Sequence, residues 1–324
     1  MIKKGYSDPQ FRSEAKIGLS DVVRVAYEST DADVVIVGDG FHGDAELFEY
    51  MATPEAVQTL AESGVTNMFL EAPKVYQSHA DDLASGRINS DEFVRNMISD
   101  RYETLFRDAQ EKLADIADII KNMGRAGIMV HFSDPGNGIP EVVQFLEEKE
   151  NYIEQGLTGS ALITVLSDQY RDSLLARTDD RELAEFVNKT LPEGEKGVVL
   201  YGANHGSRYG DFEEHLSDGV RSVKLDVYAS RDSYQEMQVG STIENDFTSL
   251  SFGEDAADGV YIMNDADGDG GRFYATRATS PELSAAIEEK AEWVRSGGEA
   301  DFPPVVSEQN YVSALNCPIT FSGF

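Results

Sequence analysis

Residues 34–43 read Val34-Val35-Ile36-Val37-Gly38-Asp39-Gly40-Phe41-His42-Gly43. The strand predicted at 33–38 has an unbroken apolar run from Val34 to Val37, which is typical of a strand that is buried on both faces of a parallel sheet. Glycine at its end lets the backbone turn sharply and approach a ligand. Similar short runs alternate with longer helical patterns along the chain. This alternation predicts an α/β fold with a mostly parallel central sheet flanked by helices.

The same patterns predict where the other elements lie. Further strands are expected at 66–71, 127–132, 197–202 and 220–228, followed by a pair of strands at 259–263 and 272–276. Helical patterns cover about 44–63 with a restart at Thr53-Pro54, then 78–123, 139–149, 151–176, 180–190 and a last helix that begins at Ser280.

The expected organisation has three parts. An N-terminal segment covers 1–30, and an α/β core covers 31–228. Helical insertions at about 78–123 and 139–190 are expected to form a lid over the carboxyl ends of the strands. A C-terminal extension, 229–324, carries a β-hairpin and a helix and is expected to pack on the same domain.

Composition restricts the partners. The chain has 324 residues and a formal net charge of −32. Such a field repels nucleic acids and anionic membrane surfaces, so we expect neither as a partner. No apolar stretch is long enough to span a membrane, and no signal peptide is visible, which predicts a cytoplasmic protein unless export uses a signal-less route. Cys317 is the single cysteine, which excludes an intramolecular disulfide. The sequence leaves the oligomeric state open.

Three of the five histidines fall at or near the carboxyl end of a predicted strand: His42, His131 and His205. Carboxylates gather at the same edge, since Asp39 precedes His42, Glu71 closes the second predicted strand and Asp134 follows His131. Ligands bind to open α/β sheets at the carboxyl ends of the strands. We therefore expect these side chains to share one pocket.

The residue types fit two chemistries. A histidine beside carboxylates has its protonated form favoured, which suits a general base that accepts a proton from water. Imidazole together with carboxylate is also an ordinary ligand set for a divalent metal. The residues alone leave both chemistries open.

An internal repeat supports the prediction of a shared pocket. Residues 34–43 are similar to Val198-Val199-Leu200-Tyr201-Gly202-Ala203-Asn204-His205-Gly206. Each copy has a strand, a glycine turn, a histidine and then a glycine. Two such units side by side would bring two histidines into one cleft.

These motifs resemble the superfamily that joins erythromycin esterases, ChaN-like haem-uptake proteins, TraB-like proteins and Tiki metalloproteases. Gly38-Asp39-Gly40-Phe41-His42-Gly43 is similar to its Gly-Glu-x-x-His-Gly motif, with Asp39 in place of Glu. Glu71 matches the Glu that follows the second strand. Arg171-Asp172-Ser173-Leu174-Leu175-Ala176 is similar to the Arg-Asp-x-x-Met-Ala signature, and Gly202-Ala203-Asn204-His205 falls at the second histidine motif. The resemblance covers about residues 31–265.

The resemblance implies a hydrolase of an ester or amide bond in a small-molecule or peptide substrate. His42 would be general base to a water, and Asp39 or Glu71 would orient its imidazole. His205, His131 or Arg171 would stabilise the oxyanion or bind the substrate. The further substrate-binding residues expected are Asp134, Asn204 and Arg208.

Two alternatives accompany this interpretation. The first is a Tiki-like metal-dependent peptidase or hydrolase, in which His42, Glu71 and His205 hold a divalent metal. The second is a protein that binds a ligand such as haem without catalysis, with Tyr201, Tyr209 or a histidine as the axial ligand. The leading interpretation requires no cofactor, and haem is the less expected group.

Overall fold

The structure is a computed structural model that describes residues 13–40, 46–99, 109–134, 151–156, 180–202, 212–230, 233, 257–264, 271–276 and 279–297. Among the helices in these ranges, none has the length and apolar character needed to cross a membrane.

A single eight-stranded sheet organises the described chain. Its strands are, in chain order, β1 (Ser13–Lys16), β2 (Val34–Asp39), β3 (Val65–Pro73), β4 (Met129–Asp134), β5 (Lys196–Gly202), β6 (Ser222–Ser230), β7 (Gly259–Asn264) and β8 (Arg272–Ala275). Their order across the sheet is β1-β8-β7-β6-β2-β5-β3-β4. All the predicted strands are present, with ends that differ by at most two residues.

The sheet is mixed, which refines the prediction of a mostly parallel one. The neighbouring strands from β7 to β4 all pair in parallel, whereas β8 pairs antiparallel with β7 and with β1. The expected hairpin strands are therefore β7 and β8. Strand β1 was not predicted, because Ser-Glu-Ala-Lys carries no β-branched or aromatic residue to mark it.

Helices cover both faces of the sheet. They are α1 (Leu19–Thr30), α2 (Glu46–Met51), α3 (Pro54–Glu62), α4 (Gln77–Ala84), α5 (Ser90–Ser99), α6 (Ala109–Arg125), α7 (Arg181–Thr190) and α8 (Pro281–Arg295). Two helix starts were predicted, one from Pro54 in a first turn and one from Ser280 as an N-cap. Thr53, the residue before Pro54, caps α3 by accepting a hydrogen bond from the Ala56 backbone N–H. Ser280, the residue before Pro281, caps α8 by accepting one from the Leu283 backbone N–H. Helix α1 lies in the segment 1–30, for which no element was predicted.

The two faces of the sheet differ in what they bury. The aliphatic face carries the odd-numbered residues of β2, and the α7 face carries the even-numbered ones. Val35, Val37, Leu70, Val198 and Leu200 represent the aliphatic face, which packs against α1, α3, α6 and α8 in one large core. The α7 face carries Val34, Ile36, Phe69, Val199 and Tyr201, which pack in a smaller core against Leu183, Ala184 and Val187 of α7. Period-two alternation along each strand produces this division.

The described parts of the two insertions pack along the sheet. Helix α6 buries Leu113, Ile116 and Ile120 in the core of the aliphatic face, and α4 and α5 pack beside it. Helix α7, from the second insertion, covers the α7 face rather than the edge of the sheet. In the described part of 78–123, the helical pattern is interrupted at 85–89, between α4 and α5, so it is not one continuous helical segment. A lid formed by the other residues of the insertions stays a prediction.

Candidate functional site

Strands β2 and β5 form a topological switch point. After β2 the chain continues into α2 and α3, which pack on the aliphatic face through Leu47 and Leu60. After β5 it reaches Phe212, which packs on the α7 face. Adjacent parallel strands whose following segments lie on opposite faces leave a crevice at their carboxyl ends, and ligands bind there in open α/β sheets. The crevice between β2 and β5 is therefore the candidate site.

Two acidic residues lie where these strands end. In the register of the sheet, Asp39 of β2 is paired with Gly202 of β5. The Gly202 backbone N–H donates to Oε2 of Glu71 at 2.8 Å. Backbone pairing between β3 and β5 ends at Leu70 and Leu200. The Glu71 carboxylate thus accepts the hydrogen bond that a backbone carbonyl of β3 would accept if the pairing continued. This hydrogen bond fixes the carboxylate beside Gly202.

Both predicted catalytic histidines follow directly from this pair. His42 comes three residues after Asp39, and His205 comes three residues after Gly202. Both histidines lie outside the described residues, as do Asn204, Arg208 and Arg171. A pocket shared by His42, Glu71, His131 and His205 therefore stays a prediction.

Asp39 is a buried carboxylate, 5% exposed, on the aliphatic face of the sheet. The contacts of the next residue, Gly40, explain why the motif has a glycine at this position. Its backbone N–H donates to the Val227 carbonyl at 2.7 Å, and a Cβ at Gly40 would lie 2.3 Å from the nearest carbon of the Tyr228 ring. Glycine is thus required here for the close approach of a buried tyrosine.

His131 lies on the α7 face, half-buried, at the level of Phe69. Its ring stacks on Phe69 with 5.2 Å between the ring centroids. Its Nε2 lies 2.9 Å from Oδ1 of Asn67. Burial lowers the pKa of His131, while the Asp81 carboxylate opposes that shift. His131 is the third of the six residues of β4, so it lies below the carboxyl end of that strand. Its hydrogen-bond partner, Asn67, lies two residues further toward the amino end of the sheet.

Asp134 ends β4, where it is paired with Pro73. Together with Glu182, it opposes the effect of burial on Lys74, whose pKa is lowered by desolvation. The Lys74 Nζ atom lies 4.3 Å from the ring centroid of Phe186 on α7. Asp134 and Lys74 therefore lie on the β4 side of the edge, away from β2.

Sequence reasoning missed two buried polar residues, one on each face of the sheet. Asn67 was overlooked although it lies two residues before Phe69, and so on the face of the strand that carries Glu71. Lys112 of α6 is buried on the aliphatic face, with its Nζ atom 5.6 Å from the Phe48 ring centroid. A lysine inside the apolar stripe of an amphipathic helix was the available signal.

Tyr201 was considered as an axial ligand for haem. Its side chain is buried on the α7 face, edge-on to Phe212, with 5.5 Å between the ring centroids. Burial raises the pKa of Tyr201. In the ranges that the structure describes, no three His, Cys, Asp or Glu side chains are grouped so as to hold a metal ion. The metal set of the alternative includes His42 and His205, so these ranges do not test it.

Comparison with known proteins gave no family. No model of a protein family matches the chain, and no curated protein matches it. Among the solved structures that are similar to the chain, three share 13–19% sequence identity with it. ChaN of Campylobacter jejuni, described as binding haem cofacially, is 13% identical with a TM-score of 0.45, over 82% of this chain and 99% of that one.

The other two are effectors. The type III effector HopBA1 is 15% identical with a TM-score of 0.39, over 68% of this chain and 87% of that one. RRSP, a MARTX toxin effector domain from Vibrio vulnificus CMCP6, is 19% identical with a TM-score of 0.40, over 65% of this chain and 36% of that one. At such TM-scores and identities, the likeness assigns neither a family nor an activity to this chain.

Proposed function

We propose that the chain is a hydrolase that cleaves an ester or amide bond in the crevice between the carboxyl ends of β2 and β5. The observation that carries the proposal is the arrangement around Gly202. Asp39 is paired with it, and Glu71 accepts its N–H, at the switch point of the sheet. Open α/β sheets bind ligands at this position.

In the proposed reaction, His42 takes a proton from the attacking water. Asp39 or Glu71 orients the imidazole and stabilises its cation, as a carboxylate does for a catalytic histidine. His205 or Arg171 stabilises the oxyanion, and Asn204 and Arg208 contact the substrate. A fixed Glu71 carboxylate supports this division, because an orienting group must itself be held in place.

Charge restricts the substrate. With a net charge of −32, the protein repels polyanions, attracts cationic molecules and leaves neutral molecules unaffected. We therefore propose a small-molecule or peptide substrate without multiple negative charges. A divalent metal held by His42, Glu71 and His205 is the alternative route to an activated water.

The test is a hydrolysis screen over esters, amides and lactones with the wild type and His42→Ala. The wild type is expected to hydrolyse at least one class, and His42→Ala to lose on the order of 10²–10⁴ in rate without unfolding. His79→Ala, on α4, is the matched control and is expected to keep the wild-type rate. If His42→Ala retains full activity on every substrate, the proposal is wrong.

A chelator separates the two routes to an activated water. Activity that persists after chelation, with no metal in the purified protein, supports a metal-free general base. Loss of activity that Zn²⁺ or Mn²⁺ restores supports the metal-dependent route instead.

A further inference from the structure

A chain of hydrogen bonds connects His131 to the surface on the α7 face. Nε2 of His131 lies 2.9 Å from Oδ1 of Asn67, and Nδ2 of Asn67 donates to Oε2 of Glu195 at 3.0 Å. Thr66 Oγ1 donates to the same carboxylate oxygen at 2.7 Å. Asn67 is fully buried, so its side-chain amide has no solvent partner to exchange with.

This chain fixes the orientation of the Asn67 amide. A carboxylate is an acceptor only, so the Asn67 atom that faces Glu195 is the donating Nδ2. The oxygen of the amide therefore faces His131. Since an amide oxygen can only accept, Nε2 of His131 carries the hydrogen, and in the neutral ring Nδ1 carries the lone pair.

The surroundings keep the ring neutral. His131 lies between the Phe69 ring and the edge of the Phe186 ring, whose centroid is 6.4 Å away. Lys74 Nζ on the Phe186 ring adds a positive charge nearby. Of the charged groups around His131, Asp81 on α4 favours protonation, Asp134 ends the same strand, and Glu195 acts only through Asn67.

The atom left over is Nδ1. Within the described ranges, the hydrogen bond of the His131 ring is the one through Nε2, and the side chain is half-buried. A neutral imidazole whose single N–H is already used cannot donate to an oxyanion. The oxyanion role expected for His131 is thus incompatible with its hydrogen bonds.

We infer that His131 is a hydrogen-bond acceptor on the α7 face of β4, that it binds an O–H or N–H group of the ligand through Nδ1, and that Asn67 and Glu195 are its positioning residues. The ligand it fits is an alcohol, amine or amide and not a carboxylate or phosphate. This inference rests on the proposed function only for the identification of that ligand as the substrate of a hydrolase. The tautomer of His131 is independent of it.

The first test is ¹⁵N NMR of the histidine-labelled protein, with the His131 signal assigned by its loss in His131→Gln. We expect the Nε2–H tautomer and a midpoint of titration below the ordinary value of 6.5. Glu195→Ala releases the Asn67 amide and is expected to mix the two tautomers. Glu195→Gln keeps an acceptor oxygen and is expected to restore the wild-type spectrum. Glu195 is only half-buried at the surface, so neither variant threatens the fold.

The second test measures access to Nδ1. Diethyl pyrocarbonate acylates an unprotonated imidazole nitrogen, and mass spectrometry is expected to show His131 modified at pH 7. An Nδ1–H tautomer, a spectrum unchanged by Glu195→Ala, or a His131 that stays unmodified while His79 reacts would each overturn the inference.

The third test applies to any substrate found by the hydrolysis screen. Glu195→Ala is expected to raise KM roughly 3- to 10-fold, as one net hydrogen bond would, and Glu195→Gln to leave it unchanged. An unchanged KM in Glu195→Ala would refute the substrate role of His131. If the screen finds no hydrolysis, the proposed function fails. The NMR and acylation experiments then still test whether His131 is a hydrogen-bond acceptor through Nδ1.

Discussion

The two faces of the sheet bury different chemistry. The aliphatic face packs a large apolar core against α1, α3, α6 and α8, with Asp39 and Lys112 among its buried charged groups. The α7 face packs a smaller core that is rich in aromatic rings, and it carries Asn67, His131 and Tyr201 beside them. The larger apolar core makes the aliphatic face the main source of stability, whereas polar side chains are buried on both faces.

The largest expected effect on stability compares neighbouring residues of β5. Val198 and Val199 are both fully buried, one on each face. Val198→Ala is expected to cost about 2–3 kcal/mol, because the tightly packed core cannot collapse around the cavity. Val199→Ala is expected to cost about 1 kcal/mol less, since the smaller core can relax. Chemical denaturation measures both free energies of unfolding. Equal costs, or a larger cost for Val199→Ala, would remove the distinction between the faces.

A second prediction concerns the turn after β2. Gly40→Ala is expected to destabilise the protein by about 1–3 kcal/mol, because its Cβ would overlap the Tyr228 ring. Gly124→Ala is the control, since it lies in α6, where the nearest atom to its Cβ would be 3.8 Å away. That variant is expected to be neutral or slightly stabilising. A Gly40→Ala protein with the wild-type melting temperature would contradict the packing described for this turn.

The smallest expected effect is the pH dependence contributed by His131. Its folded-state pKa is lowered by burial, so the unfolded chain takes up the proton more readily. The stability associated with neutral His131 is complete above about 6.5, the unfolded value, and declines as the pH falls below it. His131→Gln is expected to weaken this decline at constant salt concentration. If the wild type and His131→Gln lose stability in parallel between pH 7 and pH 5, His131 is not the group that titrates.

The central sheet could be predicted from the sequence because buried parallel strands are continuous apolar runs. The runs at β2 and β5 each end in a glycine, and each was recognised. Strand β1 was missed because a short polar strand at a sheet edge has no pattern of its own and is stabilised by its pairing with β8. Helix α1 was overlooked although its buried residues Leu19, Val22 and Ala26 recur at helical spacing.

The residues of the candidate site also divide into those that the sequence could predict and those that it could not. Asp39 and Glu71 could be placed at one edge, because their positions follow from where the strands end. The role of His131 could not, since it depends on Asn67 and Glu195. Glu195 is 128 residues from Asn67 along the chain, and only the pairing of β3 with β5 brings it near. Spacing in a sequence contains no signal for such a contact.

The most direct test of the central claim, that chemistry occurs at the carboxyl ends of β2, β5 and β3, is the rate of substrate hydrolysis by Glu71→Gln. Glutamine keeps an oxygen that can accept the Gly202 N–H, so the fold is expected to remain intact. Glu71→Ala leaves that N–H without its acceptor and is expected to lose about 1–3 kcal/mol of stability as well.

For Glu71→Gln we predict an unchanged melting temperature and a fall in kcat/KM of at least about 100-fold, because the carboxylate charge beside the general base is gone. A Glu71→Gln protein that hydrolyses the substrate at the wild-type rate would contradict the account.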